Sequence, residues 1–179
     1  MTFIQKISAY NLGFLLDRDL PEVALTGLTE GFDSQSMIQL AGYNELENPF
    51  LLAETFHKSL IELGIVLFGR KESIINVITF YATQIVNHEV DAYAGFDTIN
   101  KFVRKTEFDY SDLYLNDCYV EYITIWELKT DGLQMHEGSG LTKEQFINKT
   151  KTDLSYLLSA WLKQTAAHNM GFAQTGRDE

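Results

Sequence analysis

Glu54 and His57 stand three residues apart in Glu54-Thr55-Phe56-His57, the spacing that places two ligands on one helical face in carboxylate-bridged di-iron bundles. Such a centre takes a second Glu-x-x-His and two further glutamates from facing helices. The chain has no second Glu-x-x-His. No metal site is therefore expected, and His57 reads as a hydrogen-bonded, half-buried histidine in an apolar arc between Ala53 and Phe50. His88, Glu89 and Asp91 form a second cluster, at the end of an uncharged helical run. There a positive imidazole would complement the helix dipole, so capping accounts for them. His136 and His168 have no other donor at metal-ligand spacing. The single cysteine, Cys118, allows no internal disulfide, fits a reducing compartment and reads as a small core residue rather than a nucleophile. There is no Gly-x-Ser-x-Gly, no glycine-rich phosphate loop and no Cys-His pairing along the chain. No cofactor is implied, and an enzyme is the less favoured class.

The segment 106–128 departs from an ordinary solvated face. It holds six carboxylates, Glu107, Asp109, Asp112, Asp117, Glu121 and Glu127, six aromatics and no lysine or arginine. Tyrosine and tryptophan beside carboxylates suit a protein-binding surface, where aromatics anchor and charges steer. The expected partner-binding residues are Asp109, Tyr110, Asp112 and Tyr114, because Tyr119, Tyr122 and Trp126 fit a buried side. The plainer alternative makes the aromatics core and leaves the acids facing water.

Charge points the same way. With 25 acidic against 14 basic residues and a formal charge of -11, the field around the molecule repels phosphate, which disfavours nucleic acid and anionic membrane surfaces and favours a basic protein. The expected function is an acidic binding module for a basic protein partner, immunity or antitoxin-like. The alternative is an enzyme or small-ligand binder using a crevice between helices, lined by His57 or by the row Asn76, Thr79, Thr83 and Asn87. Gln5, Lys6 and Asn11 interrupt the N-terminal apolar run, unlike a signal peptide, and no window approaches a membrane span, so a cytoplasmic protein is expected.

The elements that must position these groups all read as helices, giving an all-α, single-domain bundle of about eight helices around a buried central helix, about 71–88. That run carries no fully charged side chain between Glu72 and Glu89, and its apolar residues cover about half the circumference. Thr2 with Gln5 has capping-box spacing and starts a helix to about Leu16. Short helices follow over 22–30 and 34–41, the second capped by Asp33 with Gly42 in the left-handed position beyond it. Asn48-Pro49 opens a helix to Leu63, closed by Gly64, with Phe50, Leu52, Ala53, Phe56, Leu60, Ile61 and Leu63 inward. Asp91 caps a helix to about Lys105, where Gly95 implies close approach of another backbone. Ser111 caps a helix over 112–129, with a strand permitted by its β-branched content. Thr142 and Gln145 repeat the capping box for a last helix to about His168 that should pack along the central one. The glycine-rich run to Gly140 reads as a mobile loop, 1–170 as one domain and 171–179 as a solvated tail.

Leu40-Ala41-Gly42, Ile61-Glu62-Leu63-Gly64-Ile65 and Asp91 with Gly95 and Ile99 resemble a pattern in an uncharacterised group of bacterial all-helical proteins. The resemblance covers roughly residues 36 to 104. It implies an all-helical fold and no established activity, so it carries over no functional residue.

Overall fold

The computed structural model describes residues 1–130 and 137–174, the last eight of these as backbone only. His136, most of the glycine-rich run, the side chain of His168 and the end of the tail lie outside the described residues. The described chain is all-helical: α1 (Phe3–Asn11), a 3-10 turn (Asp17–Asp19), α2 (Leu20–Thr29), α3 (Gln35–Ala41), α4 (Pro49–Glu62), α5 (Arg70–Val86), α6 (Ala92–Val103), α7 (Asn116–Thr130) and α8 (Lys143–Gln174). It divides into two compact units, Met1–Val77 and Ile78–Glu179.

In the first unit, short helices are held by their ends. The Thr2 hydroxyl accepts from the Gln5 amide while the Gln5 side chain accepts from the Thr2 amide, so the expected capping box forms. α1 stops at Asn11, short of Leu16, because Gly13 takes φ +75 and turns the chain. Ser34, not Asp33, caps α3, its hydroxyl accepting from the Met37 amide. Gly42, expected left-handed, stays right-handed at φ -85, whereas Gly64, expected only to close α4, is left-handed. The core they enclose gathers Phe3, Ile7, Leu20, Val23, Met37, Leu40, Leu52, Phe56 and Leu60. Phe3 lies so close to α2 that a Cβ on Gly27 would sit 2.9 Å from its ring.

α4 corrects the expected inner face. Leu52, Phe56 and Leu60 are buried, but Phe50 and Ile61 are 86% and 79% exposed. At about 100° per residue, the rotation that gathers Leu52, Phe56 and Leu63 turns Phe50 and Ile61 to the opposite side. His57 goes with them and is exposed.

α5, the helix expected at the centre, is buried along one side: Ile74, Val77, Ile78 and Ala82 are fully buried and Ile85 nearly so, while Ile75, Tyr81 and Val86 are half-buried. Half of its polar row is uncovered. Asn76 donates to the Ser8 hydroxyl at 3.0 Å, but Thr83 and Asn87 are exposed, and Thr83 bonds back to the Thr79 carbonyl of its own helix.

In the second unit, Asp91 caps α6 by accepting from the amides of Tyr93 and Ala94. Gly95 admits side chains rather than a backbone: a Cβ there would lie 2.5 Å from Ile85 Cγ1 and 3.0 Å from Val90 Cγ2. Thr142 and Gln145 form the second capping box, and α8 packs along α7 and against α6. It buries Leu154, Leu158 and Trp161 and continues past His168 to Gln174.

Candidate functional site

The expected partner-binding residues fall in the strap between α6 and α7, because α7 begins at Asn116 rather than Asp112. Asp109 is the reason. Its Oδ1 accepts from the Ser111 amide, the Ser111 hydroxyl and the Asp112 amide at 2.7 to 2.9 Å. Asp112 returns the bond by accepting from the Asp109 amide at 3.1 Å. This closed turn competes with helix for the same backbone groups. The hydroxyl of Ser111, followed by these amides, holds the Asp109 carboxyl below the usual carboxylate range, so it stays charged.

The strap is pinned through alternate residues. Leu113 and Leu115 are fully buried, and the Trp161 indole donates to the Leu113 carbonyl at 2.8 Å. Tyr114, between them, takes the left-handed φ of 57 and is 56% exposed. Asp109 and Asp112 are exposed with it.

Tyr110 lies differently from the other three. Its ring stacks on Tyr119 with centroids 4.0 Å apart, and its hydroxyl donates to the Asn100 side-chain carbonyl. Asn100 in turn donates to the Tyr122 hydroxyl at 3.3 Å, and Tyr122 donates to Asp97 at 2.8 Å. Burial, with Tyr119 beside it, pushes the Tyr110 phenol up to about 12. Burial and the bond to Asp97 raise Tyr122 as well. Tyr93 completes the aromatic layer by stacking on Tyr122 at 5.3 Å.

Two surface residues escaped the sequence reading. Trp126, expected inward, is 42% exposed, and Val120 is 59% exposed. The buried arc of α7 is Cys118, Tyr122, Ile125 and Leu128. Leu128, left out of the expected set, moves the centre of that arc away from Tyr119 and Trp126 and leaves both on its flank. Val120, Ile123 and Trp126 follow one another at spacings of three, so they adjoin on the outer surface of the helix beside Asp117 and Glu127. Cys118 is buried, and burial, followed by the Asp117 charge, pushes its thiol up to about 12. It is a packed thiol without nucleophilic character at neutral pH.

The remaining clusters separate. His57 is exposed on α4, where its Nδ1 donates to the Ala53 carbonyl at 2.8 Å. His88, with left-handed φ 60, joins Glu89, Asp91, Lys151, Thr152 and Ser155 around an open cleft of about 350 Å³ between the α5–α6 turn and α8. The charged groups there already meet, since Lys151 Nζ lies 2.7 Å from Asp91. Partial burial opposes ionisation of Asp91, but the bond from Lys151 and that from the Ala94 amide outweigh it and hold the carboxyl below its ordinary range. Among the described residues no group of three or more metal-ligating side chains occurs, and no helix is long and apolar enough to cross a membrane. Comparison with protein-family models, curated proteins and solved structures finds no match to this chain.

Proposed function

We propose that the chain is a binding module for a basic protein, and that the strap and the outer side of α7 form its recognition face. The observation that carries this reading is the exposure of Trp126 and Val120 on a helix whose neighbouring strap presents Asp109, Asp112 and Tyr114. A large aromatic held in water on a helix that also carries Asp117 and Glu127 gives an apolar anchor inside an attractive field. Asp109, Asp112 and Tyr114 keep the role expected of them, and Tyr110 supports the strap from within. The net charge of -11 extends the attraction beyond the contact and raises the rate of encounter with a cation-rich surface.

The alternative, a small-ligand binder, rests on the cleft beside Lys151. Its volume is at the lower end for ligand pockets, and its ion pair would have to open to engage a ligand. The recognition face is tested by capture of basic proteins from the native host at low and at physiological ionic strength. The expected outcome is a partner retained at low salt, lost with Asp112→Lys plus Asp117→Lys, and separately weakened at least tenfold by Trp126→Ala with unchanged helicity. Equal retention by all three proteins would overturn the reading.

A further inference from the structure

α4 has a second apolar face, on the side away from its core. Phe50 and Ile61, 86% and 79% exposed, lie eleven residues apart and therefore align on one stripe about 16 Å long. Glu54 and His57, both exposed, occupy the same stripe between them, and Lys58 flanks it. Leu46 stands just before the helix and Val66 just after it, 86% and 83% exposed. Glu62 is turned aside, its carboxylate accepting from the Ser36 amide and hydroxyl.

The order of these groups reads the same from either end once charge is reversed. Apolar, acidic, basic, apolar becomes apolar, basic, acidic, apolar when the helix is turned around. A second α4 laid antiparallel with its two-fold between Thr55 and Phe56 sets Phe50 against Ile61, and Glu54 against His57, on both sides of the axis. The same arrangement carries Leu46 toward Val66 and brings Lys58 within reach of the opposite Glu54. A parallel arrangement would set Glu54 on Glu54 and Lys58 on Lys58. Two-fold interfaces demand this self-complementarity, in which residue i meets j and j meets i.

We propose that a second copy of this chain docks on this stripe, α4 against α4 in antiparallel register. The contact is short, one helix face a side, so it belongs with small, reversible interfaces rather than obligate ones. It uses no residue of the strap or of α7, and does not depend on that function.

Sedimentation velocity from low micromolar to several hundred micromolar chain tests it. The expected result is a mass that rises from one chain to two, and a dissociation constant at least tenfold weaker for Ile61→Glu, whose exposed site leaves the helicity unchanged. Glu54→Lys alone, which sets a lysine near the opposite Lys58, and His57→Glu alone, which sets a glutamate against the opposite Glu54, should each weaken self-association. An equimolar mixture of those two variants should regain the dimer. In the mixed pair, the lysine introduced at position 54 of one copy faces the glutamate introduced at position 57 of the other, and the unaltered Glu54 and His57 face each other on the far side of the axis. A single-chain mass throughout the range, a dimer that Ile61→Glu leaves intact, or a mixture no stronger than its parts would overturn the proposal.

Discussion

In the first unit, helices of seven to fourteen residues surround a core made almost wholly of hydrocarbon and phenyl groups. In the second, α6 and α7 meet through a layer of tyrosines whose hydroxyls run through Asn100 to Asp97. Helices as short as those of the first unit are marginal alone, so capping groups and apolar contact must hold them. The second unit instead keeps polar atoms half-buried and satisfies them in sequence, which ties the orientation of α7 to that of α6 and the strap. One chain thus reaches close packing in two ways, by excluding polar groups and by pairing them, and the two cores should fail differently.

The largest effect should come from the hydrocarbon core. Phe56, fully buried and set edge-on to Tyr10 at 5.1 Å, should lose about 3 to 5 kcal/mol of stability as Phe56→Ala in urea unfolding. Ile78→Ala, at a fully buried position of α5, should cost about 2 to 5 kcal/mol. A loss below about 1 kcal/mol at Ile78 would contradict its burial.

Two close approaches to apolar side chains, one in each unit, should give somewhat smaller effects. Gly27→Ala forces a Cβ against the Phe3 ring, and Gly95→Ala forces one against Ile85; each should cost about 1 to 3 kcal/mol despite the better helix propensity of alanine. A truncation tells the causes apart. Ile85→Ala, which removes the Cγ1 and Cδ1 atoms that the new Cβ would meet, combined with Gly95→Ala should be less harmful than the sum of the single changes, and simple additivity would show that overlap with Ile85 is not the cause.

The smallest effect separates the tyrosine layer by pH. Folding raises the Tyr110 phenol from 10.0 to about 12, so the neutral hydroxyl favours the folded state. Its contribution is full below pH 10 and is lost as pH climbs from there through about 12, because the unfolded chain ionises first. Tyr110→Phe should cost about 1 kcal/mol at neutral pH and should make the alkaline decline in denaturant midpoint less steep. An identical slope for the two proteins would show that Tyr110 does not couple folding to ionisation.

Local chemistry determined most of the helix boundaries. Thr2 with Gln5, Asn48-Pro49, Asp91, and Thr142 with Gln145 each mark a start that the structure reproduces, because a cap is settled by residues within one turn. The uncharged run around Ile78 likewise marked a helix with a fully buried side, since desolvating a charge there would cost more than packing returns. Choices among competing neighbours were decided only in the tertiary structure. Asp109 closed its own turn and displaced Ser111 as the expected helix start. Tyr110 went inward because Tyr119 and Asn100 were there to receive it, and Trp126 stayed out because Leu128 took the inner position. The outward side of α4 was legible in its helical rotation. Placing Phe50 and Ile61 in the core counted their hydrophobicity and not their angle, and a helix with apolar residues on two sides buries only the one that its own unit covers.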